Sequence, residues 1–155
     1  MPIVYINDVN ELVSIHQKTI EVSGGGTVGV LNLNSLSAAL DHIQNDDYYP
    51  TFEDKLTHLF YVANKSHCFQ DGNKRIAITI GSVFLLKNGY INAAKKFLYR
   101  MEIVSYHVAA SNIDKELLHE IITSILTEDD FTEELKLKIA NAISQDGHDK
   151  DMHSD

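Results

Sequence analysis

Ser66-His67-Cys68-Phe69-Gln70-Asp71-Gly72-Asn73-Lys74-Arg75 sets a base, an acid, an amide and two cations close together, and the uncharged run Ile76 to Leu86 follows at once. Asp71-Gly72 is a turn signal, and Asn73 is suited to opening a helix. A helix apolar on every side belongs in the middle of a bundle. Its first turn presents unpaired backbone N–H groups and the positive end of its dipole, and both favour an anion such as phosphate. Cations at that end are normally unfavourable, so Lys74 and Arg75 imply that something anionic sits between them. His67, before the turn, can act as a base near neutral pH. Asp71 is a hard oxygen ligand of the kind Mg²⁺ takes alongside substrate phosphates. From chemistry alone, this is a phosphate-handling site with a base beside it, held by a rigid element.

Working outward, helical spacing recurs along the chain. Ile3-Val4-Tyr5-Ile6 reads as an edge strand or an extended arm. Asn7 or Asp8 then caps a helix with Val9, Leu12, Val13, His16 and Ile20 on one stripe. His16 on that stripe reads as a satisfied structural histidine. Ser23-Gly24-Gly25-Gly26 stops the helix. Ser35 starts a second one with Leu36, Ala39, Leu40 and Ile43 inward, and Asn45 to Pro50 breaks it as an exposed loop. Thr51 or Asp54 opens a third, which carries Leu56, Leu59, Phe60 and Ala63 inward, ends near Asn64 and delivers the chain to His67. His58 on that helix reads as a surface residue, and Phe69 as the anchor of the motif loop. Gly89 suits the left-handed position that closes the central helix. Helices over Ala93 to Ala110, after Asp114, and over Leu135 to Ile143 complete the set; His107 in the first of these reads as partly buried. The polar stretch from Ser144 predicts a disordered acidic tail over 144–155. The expectation is one all-α domain over 1–143, a compact bundle of six or seven helices.

With 155 residues the chain can bury a real core. Its net charge of −9 argues against nucleic acid as a ligand, which needs a basic face. One cysteine excludes an internal disulfide and agrees with a reducing compartment. No basic-then-apolar leader is visible, and Ile76 to Leu86 is too short to span a bilayer, so the reading is a cytoplasmic protein with no membrane partner.

The motif His-x-Phe-x-Asp-Gly-Asn-Lys-Arg over residues 67–75 resembles the signature of the Fic/Doc proteins. Gly25-Gly26 with Gly29-Val30, Leu36-x-x-Ala39-Leu40, Tyr49-Pro50-Thr51 and Phe84-Leu85-x-x-Asn88-Gly89-Tyr90 resemble its Doc (death-on-curing) branch, so the likeness spans roughly residues 10 to 122. It implies the compact helical bundle of that family, with a short flap loop before the motif, and transfer of part of ATP to a hydroxyl on a target protein. Carried over, His67 is the general base and Asp71 binds Mg²⁺. Gly72 and Asn73 form the anion cradle, and Lys74 and Arg75 clamp phosphate oxygens. Asp47, Tyr48, Tyr49 and Pro50 would be the flap that docks the target backbone by strand-like pairing.

Two departures from the adenylylating Fic pattern matter. Lys74 stands where those enzymes have a second glycine, and Ile78 where many have a second arginine. Both match the Doc branch, which resembles a kinase that phosphorylates elongation factor Tu and is silenced by an antitoxin protein encoded nearby. AMP transfer to Ser, Thr or Tyr is the alternative, and a catalytically silent binding module is a second. Ser124-Ile125-Leu126-Thr127-Glu128-Asp129 loosely resembles an inhibitory motif that some Fic proteins carry. Its last position departs, and ordinary helix surface is the preferred reading of Ser124 and Glu128.

Overall fold

The computed structural model describes residues 2–7, 9–22, 32–66 and 73–153. They form seven helices: α1 Val9–Val22, α2 Asn34–His42, α3 Phe52–Lys65, α4 Asn73–Lys87, α5 Ile91–Ala109, α6 Lys115–Thr127 and α7 Glu133–His153. Among the described residues there is no strand. The first residues form an extended arm, which the Asn88 amide holds along the end of α4: Val4 N–H donates to Asn88 Oδ1 at 2.8 Å, and Asn88 Nδ2 donates to the Val4 carbonyl at 2.9 Å.

Local chemistry explains the helix ends. Thr51 and Asp54 form a reciprocal capping box at the start of α3, the Thr51 hydroxyl accepting from Asp54 N–H and the Asp54 carboxylate accepting from Thr51 N–H. Asp114 caps α6 by accepting from Leu117 N–H at 2.8 Å. Gly89 closes α4 with φ +83°, while Tyr90 N–H donates to the Leu85 carbonyl and Gly89 N–H to that of Leu86.

Packing makes α4 the centre. It lies against α1, α3 and α5. Ile76, Ala77, Ile80, Phe84 and Leu85 are fully buried. At Gly81 a Cβ would come within 2.5 Å of the Phe97 ring, so the missing side chain sets how closely α4 and α5 approach. Phe97 is held from the other side by Phe60, edge to face at 5.2 Å between ring centroids. The apolar-all-round expectation for α4 needs one amendment. Leu86 is exposed, and Ile78 and Val83, though packed against the core, are only partly buried and line a cleft.

Two further expectations are corrected. α7 continues to His153, so the stretch after Ser144 assigned to a disordered tail is helical that far; once a helix is nucleated, each added residue forms a bond at modest cost. His58 is half-buried rather than a surface residue, because Tyr49 and Lys115 cover it.

Candidate functional site at the start of α4

α3 and α4 run antiparallel, with Phe52 at the start of α3 stacked on Phe84 near the end of α4 and tilted against Tyr90 just beyond it. The motif connection therefore joins the other ends of these helices. His67, Cys68, Phe69, Asp71 and Gly72 lie outside the described residues. Asn73, Lys74 and Arg75 are described, and they form the first turn of α4 as expected.

A buried polar link pins both ends of this connection. In the last turn of α3, Asn64 Nδ2 donates to the Phe60 carbonyl at 2.9 Å, and Asn64 Oδ1 accepts a hydrogen bond from Ser105 Oγ on α5. Ser105 Oγ also lies 3.5 Å from the Lys74 carbonyl. Both side chains are buried, where an unpartnered polar group is costly, so the link holds α3, α4 and α5 in register beside the motif. Asn64 and Ser105 were missed as functional residues in the sequence. The available signal was a polar residue on an otherwise apolar inward stripe.

Beside this turn lies a cleft of about 810 Å³ between α1, α4 and α5. Lys74 and Arg75 line one end of it, with Glu102 and Tyr106 of α5. Ile78, Val83, Ile15 and Leu98 make its apolar wall. The Lys74 ammonium lies over the Tyr106 ring, 4.8 Å from its centroid, which orients the cation along the cleft wall. Nothing in the sequence marks Tyr106 or Glu102, since their role depends on α5 crossing the start of α4.

The proposed flap is Asp47 to Pro50. It precedes the start of α3, one helix length (about 20 Å) from the motif end. Tyr49 stacks on His58 at 4.7 Å and accepts the Lys115 ammonium on its ring, so the loop packs toward α6. Among the described contacts, none joins 47–50 to Asn73, Lys74 or Arg75. His67, Asp71 and Gly72, which a docking flap would serve, lie outside the described residues, and the flap reading stands as a proposal. The element that does border the cleft from the flank is α1, through Ile15 and Lys18.

Ser124 and Glu128, read chiefly as ordinary helix surface, differ in their settings. Ser124 is buried in α6, and Glu128 shares a hollow with Gly89 and Tyr90, just past the C-terminal end of α4. Lys96 Nζ holds the Glu128 carbonyl at 2.7 Å. That places Glu128 a full α4 length, about 22 Å, from Asn73.

A helix start with an amide and two cations, set beside an apolar cleft, belongs to an all-α bundle. A profile of the Fic/DOC family matches residues 6–85, just over half the chain, and the chain belongs to that family. No curated protein and no solved structure matches it. Family membership makes it a protein-modifying transferase of the Fic type, a class that transfers nucleotide-derived groups to proteins. Among the described residues, no helix is long and apolar enough to cross a membrane.

Proposed function

We propose that the protein is a Doc-like toxin that transfers the γ-phosphate of ATP to a hydroxyl of a cytoplasmic target protein, with elongation factor Tu as the expected target. The observation that carries this reading is Lys74. Its ammonium, steadied over Tyr106, stands in the first turn of α4 where an adenylylating enzyme would keep open space. A compact, strongly hydrated point charge there suits oxygens of the transferred phosphoryl group. Ile78 adds support, since it presents an apolar side chain to the cleft where many adenylylating enzymes carry a second arginine.

In this reading the target hydroxyl attacks the γ-phosphorus as His67 takes its proton. The bond from phosphorus to the bridging oxygen breaks, and ADP leaves with that electron pair. The N–H groups at Gly72 and Asn73, with Lys74 and Arg75, hold the phosphate oxygens in place and act by electrostatic preorganisation. Among the described residues no cluster of three His, Cys, Asp or Glu side chains could cage a metal. The chemistry at the α4 start still fits Mg²⁺, which binds through one or two carboxylates plus substrate phosphates and would be held by Asp71. When bound, it supplies neutralisation of phosphate charge.

An antitoxin encoded nearby belongs to the same proposal. The cleft wall of Ile15, Ile78, Val83 and Leu98, with Lys18, Lys74 and Arg75 beside it, suits the apolar face of a short helical segment with acidic flanks. The deciding experiment supplies ATP labelled at the α- or γ-phosphate, with elongation factor Tu or a whole lysate as acceptor. Label moving from the γ-position alone supports the kinase. Label moving from the α-position establishes AMP transfer and removes the proposal.

A further inference from the structure

α5 packs against α3, α4 and α6 and sends Ala94, Phe97, Met101, Val104 and Val108 into the core. Its outer side lacks the polar character that the solvent face of an amphipathic helix normally has. Ile91 is 60% exposed, Leu98 55%, Tyr99 87% and Ile103 54%, and Tyr106 is 39% exposed at the far end. Half of the large apolar side chains exposed among the described residues therefore fall on this one helix. Scattered singly they would call for no explanation, but together they make a stripe about 23 Å long, from Ile91 to Tyr106. Within it Lys95, Tyr99, Glu102 and Tyr106 follow at spacings of four, three and four, the rhythm of a helix that pairs with another.

The charges on the stripe select its occupant. It carries one cation, Lys95, and one anion, Glu102, both exposed. Among the described residues no ion pair involves either of them. On one helix they stand about 10 Å apart along the axis, beyond the separation at which helical neighbours pair. A face made for an acidic or a basic partner would carry one sign. Here the two signs stand at equal distances from the centre of the stripe, which falls between Leu98 and Tyr99. A two-fold axis at that point runs a second α5 antiparallel to the first. It sets Lys95 against the partner's Glu102 and Glu102 against the partner's Lys95. The same operation lays Leu98 on the partner's Tyr99 and Ile91 on the partner's Tyr106. Apolar groups meet apolar groups, and opposite charges meet twice.

We infer that the exposed face of α5 is a docking surface for a second copy of this chain, in which two antiparallel α5 helices exchange Lys95–Glu102 bridges across a two-fold axis. One helix crossing covers less than the roughly 800 Å² per partner of a standard interface, so the pair is weak and forms above about 10 μM. Tyr99, the most exposed of these side chains and the one beside the axis, is its anchor. Leu98, Glu102 and Tyr106 also line the cleft beside the start of α4, so a second copy on this face limits what else can enter it. That consequence rests on the cleft being part of the transfer site; the association itself does not.

Sedimentation equilibrium of the purified full chain, from about 10 μM to about 1 mM, tests the association. The mass is expected to rise from 17.4 kDa toward twice that value. Lys95→Glu alone and Glu102→Lys alone each set like charges together twice, and each is expected to weaken the pair about tenfold. The double exchange, Lys95→Glu with Glu102→Lys, puts opposite charges back at both contacts and is expected to return within about threefold of the parent. Tyr99→Ala, which leaves the core untouched, is expected to weaken the pair by at least about tenfold. Salt is a poorer probe, because it screens both the bridges and the repulsion between chains of net charge −9. A chain that stays monomeric through about 1 mM overturns the proposal and leaves the stripe to a different protein. Association that neither charge reversal weakens, or that the double exchange fails to restore, places the interface elsewhere and overturns it as well. None of these readouts involves ATP or a transfer reaction, so their outcome is independent of the proposed function.

Discussion

Ser105 Oγ on α5 donates a hydrogen bond to Asn64 Oδ1 on α3, and both groups are buried beside the first turn of α4. Ser105→Ala leaves the Asn64 oxygen without its donor at a cost of about 1–3 kcal/mol. A thermal melt should show that loss. Protein-modifying activity should fall further than stability does, because the α4 start is no longer held against α3. Unchanged activity with lowered stability would make the link purely structural.

Gly81 and Phe97 set the spacing of the two helices that carry the cleft. Gly81→Ala gains about 1 kcal/mol of helix propensity but drives a methyl group into a ring that Phe60 prevents from turning away. Overpacking of this kind costs about 1–3 kcal/mol, so a net destabilisation is expected in denaturant unfolding. A variant more stable than the parent would show that Phe97 has room to move.

At the site itself, Lys74→Met is expected to lower the transfer rate by about 10²–10³ while leaving the melt nearly unchanged. Lys74 is exposed and its ammonium contact is to the Tyr106 ring, so little packing is lost. His67→Ala should abolish both transfer and any toxicity on expression. Full activity in either folded variant contradicts the roles assigned.

Glu128→Gly should not raise activity, because Glu128 sits with Gly89 and Tyr90 at the opposite end of α4 from Asn73. A large rise in transfer rate would restore an inhibitory role for this segment.

Acid should destabilise the protein through His58. Burial, then the Lys115 ammonium, then His42 pull its pKa from 6.5 to about 4. In the unfolded chain His58 takes a proton near pH 6.5, whereas in the folded protein it resists until about pH 4. Over that window the unfolded state binds more protons, so stability rises with pH and is lost as pH falls. The melting temperature of the parent should therefore drop more steeply across the window than that of His58→Gln. Parallel curves would mean that His58 titrates normally. Lys115→Met should raise the His58 pKa by removing a neighbouring charge, readable as a shifted imidazole resonance.

Much of this protein was determined by interactions that span only a few residues, and these are legible in the chain itself. The inward stripes of α1, α3 and α6, the Thr51–Asp54 box, the Asp114 cap and the left-handed Gly89 all follow from helical period and cap chemistry. So does the cationic first turn at Asn73-Lys74-Arg75, because a helix start attracts anions wherever it occurs. Tertiary structure alone decided which residues stand beside that turn. Ser105 meets Asn64 across 41 residues of chain, and Lys115 meets His58 across 57. Periodicity tells which face of a helix is buried but not which helix covers it or at which level. For that reason the sequence leaves open what 47–50 and Glu128 stand against. Tertiary structure puts Tyr49 against His58 of α3 and Lys115 of α6, and Glu128 beside Gly89 and Tyr90 past the end of α4.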